Sequence, residues 1–154
     1  MATGNTVIGP GWIEATVAAL QAVDGHAAVY SGTTQPWLRV TNFGFEIETG
    51  NVVGSVTLRL TGAGGCAQPL GRQVDVALTL NGIDPSGTIY TLTLDHELAA
   101  PEWEGPHLWG HAMITEAQVE SESFGVLIRK ASADEGPQVR CDQVWLEITE
   151  TGGG

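Results

Sequence analysis

VDVALTLNGIDPSGTIYTLTL, residues 74–94, is the stretch on which the fold turns. Val74, Val76, Leu78 and Leu80 alternate with Asp75, Ala77 and Thr79, and Tyr90–Leu94 (YTLTL) alternates again. Successive side chains of an extended chain point to opposite faces, so a period of two sets one apolar row against a core. Between the two runs stand Asn81-Gly82 and Asp84-Pro85-Ser86-Gly87, residues that tolerate positive φ or preset a turn. The pattern predicts one long hairpin, Val74–Leu80 joined to Thr88–Leu94 through an extended tip.

Outward from this hairpin the same signal recurs. In Val52–Leu60 (VVGSVTLRL), Val56, Leu58 and Leu60 oppose Ser55, Thr57 and Arg59. In Val139–Thr149, Val144, Leu146 and Ile148 oppose Trp145, Glu147 and Thr149. Trp37–Phe45 and Phe124–Arg129 are more apolar and are expected as central strands. Glu48–Asn51, Gly62–Gly65 and Asp134–Pro137 punctuate the runs. Many short strands separated by regular turns predict an all-β chain, an antiparallel sandwich. Two short helices are expected. Ile13, Val17 and Leu20 fall on one stripe of IEATVAALQAV, and Thr115 is placed to cap a one-turn connector over Glu116–Val119. GPGW near the start and TGGG at the finish predict an N-terminal arm over residues 1–25, a sandwich domain over 26–150 and a disordered tail over 151–154.

The 154 residues suit one domain with one core, and 42% hydrophobic residues fit a folded protein. Eighteen acidic residues against six basic ones give a formal charge of −12, and Lys130 is the only lysine. Such a surface repels phosphate backbones and anionic membranes, so neither nucleic acid nor membrane is expected as a partner. No apolar run is long enough to span a bilayer, and MATGNTVIGPGW lacks the basic and apolar regions of a secretory signal. Cys66 and Cys141 form no CxxC pair, and the sequence leaves open whether they are bonded.

The richest chemistry lies in HLWGHAMITEAQVESESFGVLI, residues 107–128. On a helix, His107 and His111 would share a face as zinc sites require. Gly105, Pro106 and Gly110 argue against a helix there, and in an extended chain the two lie roughly 13 Å apart. The segment is therefore expected to cross an end of the sandwich, with Leu108 and Trp109 as the plug and the histidines flanking it. Asp95, Glu97, Glu102 and Glu104 could suit calcium but form no Asp/Asn-rich loop, and are expected as a solvated rim. Ser121 and Ser123 lie in no GxSxG, and Gly62–Gly65 is followed by no GK[ST]. No catalytic, cofactor-binding or metal-binding residue is assigned. Arg140 and Asp142 are expected on the face of Val144. A charge so placed must be paired, and Asp142 is expected to bond backbone near the Ser123–Phe124 bend or an arginine. Trp145 should face outward, as a protein contact or a sugar platform, and Trp12 should dock on a neighbouring protein or subunit.

The order Asp24-Gly25, LRVTNFGFEI (38–47), GNVVG (50–54), LWG (108–110), SFGV (123–126) and VRCDQV (139–144) resembles a β-sandwich module of bacteriophage structural proteins. The resemblance spans about three-quarters of the chain, and its motifs are structural. It implies a jelly-roll-like sandwich in which Phe43, Phe45, Trp109, Phe124, Arg140 and Asp142 serve the architecture. Size and acidity are similar to those of capsid decoration (cement) proteins. That likeness implies a homotrimer, assembled in the host cytoplasm, that binds the major capsid protein on the outside of the shell. Trp12, Ile13, Val17, Leu20 and Trp145 are the expected contact residues, and no cofactor is implied. The alternative is a carbohydrate- or receptor-binding sandwich of a tail fibre or surface protein.

Overall fold

The computed structural model describes residues 2–9, 28–30, 36–61, 72–94, 108–130, 139–141 and 143–152. Among these residues, ten strands and one short helix follow in chain order. They are β1 (Ala2–Thr3), β2 (Thr6–Ile8), β3 (Ala28–Tyr30), β4 (Leu38–Thr41), β5 (Asn51–Thr61), β6 (Arg72–Thr79), β7 (Pro85–Leu94), α1 (Glu116–Glu120), β8 (Gly125–Lys130), β9 (Val139–Cys141) and β10 (Gln143–Gly152). The protein is all-β, built on two antiparallel sheets ordered β1-β10-β5 and β2-β4-β8-β6-β7, with β3 and β9 forming a separate pair.

The alternating rows meet in one core. Val53, Val56, Leu58, Val144 and Leu146 come from the three-stranded sheet. Leu38, Val40, Val74, Val76, Leu78, Val126 and Ile128 come from the five-stranded one, and Phe43, Trp109, Ile114, Val119 and Phe124 fill the margins. Each buried aliphatic side chain contributes about 1.5–3 kcal/mol of transfer free energy, so this shared core is the main favourable term holding the two sheets in a sandwich-like body.

The predicted hairpin is β6–β7, with a tip at residues 81–84. The Asn81 side-chain carbonyl accepts from the N–H groups of Ile83 and Asp84, each at 2.8 Å, and the Thr79 hydroxyl accepts from Gly82 N–H. These Asx-type bonds satisfy the tip backbone locally. The expectation of a single buried face fails for β6. Ala77 and Leu127 are fully buried on the face opposite Val76 and Ile128, and Asp75 is 8% exposed. Strands β6 and β8 lie inside the sheet order, and both of their faces are covered. The expected strand over Trp37–Phe45 shrinks to β4, and Phe43–Phe45 follow it in irregular chain after Asn42 at φ 59°. There Phe43 stacks on Phe45, centroids 5.9 Å apart, and Phe45 meets Phe124 edge-on at 6.4 Å.

Both ends of the chain depart from expectation. Residues 2–8 are no arm: Ala2 and Thr3 pair with Leu146 and Trp145 in one sheet, and Thr6–Ile8 pair with Thr41–Arg39 in the other. Between them Gly4 packs so closely on Val40 that a Cβ would lie 2.5 Å from its side chain. Asn5 N–H donates to Thr41 and Asn42 carbonyls at 3.1 and 3.0 Å. One run of chain thus edges both sheets and ties them along one flank, a strand that switches sheets at a corner. The segment was missed because its apolar content is too small to show a period. At the other end, Thr151 and Gly152 belong to β10, paired with Val52 and Asn51, so the frayed tail does not begin at residue 151.

Candidate functional site

On the flank opposite β1 and β2, the outer strands among the described residues are β5 and β7, and Trp109 spans them. Its indole N–H donates to the Val56 carbonyl of β5 at 3.0 Å, and Tyr90 of β7 meets its ring edge-on, centroids 5.7 Å apart. The Trp109 carbonyl accepts from Thr88 N–H at 2.7 Å. The pairing of β6 with β7 slips here: Val76 faces Tyr90, but Leu78 faces Ser86, so β7 carries a bulge around Gly87–Ile89. Gly87 and Gly110 both adopt positive φ, and Trp109 itself sits at φ 56°. A Cβ on Gly87 would strike the Trp109 carbonyl and the His111 ring, and one on Gly110 would strike the Thr88 hydroxyl. The two glycines are what let the turn approach the bulge. A bulky residue in the left-handed region is held there only by surrounding contacts.

This contact creates the one nucleophile-and-base pair among the described residues: Ser86 Oγ lies 3.2 Å from His111 Nε2. Such a pair acts on an acyl group when a third group orients the base and backbone N–H groups await the oxyanion. Among the described residues no carboxylate bonds the His111 ring, and the neighbouring Thr88 N–H is engaged by Trp109. As placed, the pair fastens the turn to the strand.

A second polar group crosses the outer face of the five-stranded sheet. Asp75 Oδ2 accepts from Arg129 Nε at 3.0 Å, Asp75 Oδ1 accepts from the Thr91 hydroxyl at 2.8 Å, and the Arg129 guanidinium lies 4.2 Å from the Trp37 ring centroid. Register explains the row: Asp75 stands between Thr91 of β7 and Arg129 of β8. A carboxylate this buried needs such a partner. Sequence reasoning missed this group. Its one signal was a charge at the second position of Val74-Asp75-Val76, in a run otherwise free of charge.

A third group is acidic and gathers at one end. Thr115 caps α1, its hydroxyl accepting from Gln118 N–H while the Gln118 side chain accepts from Thr115 N–H. This capping box fixes the connector predicted at Thr115. Glu120 then accepts from Ile47 N–H at 3.0 Å, and Glu150 accepts from Glu48 N–H at 2.8 Å. The carboxylates bind loop amides rather than each other. Among the described residues, no group of three or more His, Cys, Asp or Glu side chains is placed to hold a metal ion.

Of the expected contact residues, Trp12, Ile13, Val17 and Leu20 lie outside the described residues, as do Asp142, His107 and Cys66. Trp145 is half-buried, it stands opposite Thr3 of β1 and Arg59 of β5 in register, and its buried indole N–H has no acceptor among the described residues. Arg140 belongs to β9, opposite Val29, and so to a different pairing from Val144, which stands opposite Leu60. The two N–H groups of the Ser123–Phe124 bend donate to the Ser121 hydroxyl and carbonyl, each at 3.1 Å, and the bond expected of Asp142, to backbone near that bend or to an arginine, lies with Asp142 outside the described residues. Phe43, Trp109 and Phe124 are buried, and Phe45 packs against them. Comparison with protein-family models, with curated proteins and with solved structures finds no match to this chain.

Proposed function

We propose that the chain is a virion structural protein, a jelly-roll-like capsid decoration protein that binds the outer surface of a major capsid protein shell and stabilises it. The observation that supports this reading is the position of the residues on which the resemblance to a phage module rests. Phe43, Phe45 and Phe124 form one ring cluster, Asn42 N–H donates to the Phe124 carbonyl at 3.3 Å, and Trp109 joins β5 to β7. The resemblance therefore concerns load-carrying corners of the body.

Decoration of this kind acts by burying surface across junctions between capsid subunits, which raises the shell's resistance to internal pressure. A homotrimer would engage three equivalent sites at once, which multiplies weak contacts, and cyclic closure is the usual symmetry for it. Since residues 2–8 belong to the sheets, the capsid-binding segment under this reading begins after Ile8 and includes Trp12, Ile13, Val17 and Leu20.

Two measurements test the proposal. The mass in solution should be three times the 16.2 kDa of one chain. Electron microscopy of particles assembled with the chain should show added density on the shell exterior, absent from particles assembled without it. Identical shells of equal pressure resistance in both preparations would refute the proposal.

A further inference from the structure

We propose that the end of the body formed by the β6–β7 tip and α1 is a docking surface for a protein face that is both apolar and basic. Among the described residues, Met113 and Ile83 are the two most exposed large hydrophobic side chains, at 70% and 55%. The contacts of their neighbours bring both to one end of the body. Gly82 lies against Ser123, so the tip sits beside the turn that ends α1, and Met113 precedes the N-cap Thr115. Between the two, His111 bonds Ser86 three residues beyond Ile83. Two unbranched or singly branched apolar side chains held in water at one corner, on backbone pinned by the Asn81 and Thr115 bonds, are the mark of an interaction site.

The charge around them selects the partner. Asp84 adjoins Ile83, Glu116 and Glu120 lie on α1, Glu122 follows it, and the Ile47–Glu120 and Glu48–Glu150 bonds bring Glu46, Glu48 and Glu150 to the same end. Segments 42–58, 79–94, 108–128 and 143–152 contain no lysine or arginine. Glu46 and Glu122 are exposed and have no partner among the described residues. A second copy docked by the same end would set like charges together, and a phosphate-bearing surface would be repelled. A partner with an apolar centre rimmed by lysine or arginine buries Ile83 and Met113 while pairing the carboxylates. This inference stands whether or not that partner is a capsid protein.

The test uses the full chain and two synthetic amphipathic peptides, one alternating leucine with lysine and the other leucine with glutamate, followed by methyl-resolved NMR. The leucine–lysine peptide should shift the Ile83 and Met113 methyl signals before any others, with affinity falling as salt rises. Replacing both residues (Ile83→Ser with Met113→Ser) should weaken binding at least about tenfold at unchanged melting temperature, since two central side chains of an interface are lost. The leucine–glutamate peptide should not bind. Equal binding of both peptides would overturn the proposal. So would shifts spread over the acidic surface without focus on these two methyls, or a serine double variant that binds as tightly as the parent.

Discussion

The Trp109 indole donates its N–H to the Val56 carbonyl at 3.0 Å, across 53 residues of sequence, and so closes the flank between β5 and β7. Two contributions meet in that one side chain: a fully buried ring and a hydrogen bond that satisfies an edge-strand carbonyl. Trp109→Phe keeps most of the ring and deletes the donor, at a cost of about 1–3 kcal/mol from the unpaired carbonyl. Trp109→Ala also opens a cavity and should cost about 3–5 kcal/mol. Urea unfolding of both variants separates the two contributions, and a Trp109→Phe variant as stable as the parent would mean that the hydrogen bond adds nothing.

Gly87 and Gly110 are the next point of sensitivity. Each sits at positive φ, and each would push a Cβ into the facing segment. Ala at either position meets strain in the backbone and a clash at once. Gly87→Ala or Gly110→Ala should therefore lose more than about 1 kcal/mol, where an unstrained site would gain stability from the substitution. Gly50, at φ 89° with nothing within 4 Å of its Cβ position, is the control that carries the backbone term alone. A smaller loss at Gly50 than at Gly87 measures the close approach, and equal losses would remove it from the account.

What could be read from the sequence divides along a physical line. Strands β5, β6, β7 and β10 were legible because a period of two shows directly in VVGSVTLRL, VDVALTL, YTLTL and VWLEIT. The connector at Thr115 was legible because a cap is a local bond between a side chain and its own helix. The Asp75–Arg129 pair was not, because it depends on the register of β6 against β8 across 54 residues. Asp75, Ala77 and Thr79 alternate with Val76 and Leu78 as a solvent-facing row would, yet all three are buried. Nor were β1 and β2 legible: two and three residues are too few to carry a period, and their partners lie in β10 and β4. The candidate corner at Ile83 and Met113 was hidden for a related reason. Nothing in the sequence brings residues 83 and 113 to the same end until the Gly82–Ser123 and Ser86–His111 contacts are known.

The Asp75–Arg129 pair is a case where removing one partner costs more than removing both. With side chains 11% and 26% exposed, an Asp75→Ala change strands the guanidinium beside Trp37 and frees the Thr91 hydroxyl. The expected loss is about 3 kcal/mol, at the low end for a broken buried pair because the arginine keeps some water. A double variant, Asp75→Leu with Arg129→Met, should recover most of that loss. A double-mutant cycle with a coupling near zero would show that the row is only a packing contact.

Deletion from the N-terminus distinguishes an arm from a structural edge. An arm could be removed without effect on folding. Here, a chain lacking residues 1–9 loses β1 from one sheet and β2 from the other, with the Asn5 bonds to Thr41 and Asn42 that tie them. It also removes Val7, which packs on the core, and leaves the edges of β10 and β4 bare. The truncated chain should melt many degrees lower than the full chain, and it should aggregate through those edges at concentrations where the full chain does not. The milder variant Gly4→Val tests the crossover without removing a strand, because its side chain must displace Val40 from the core. If the chain without residues 1–9 melts with the full-length protein, the flank closed by β1 and β2 contributes nothing to stability. The binding segment proposed to follow Ile8 could then begin at the first residue.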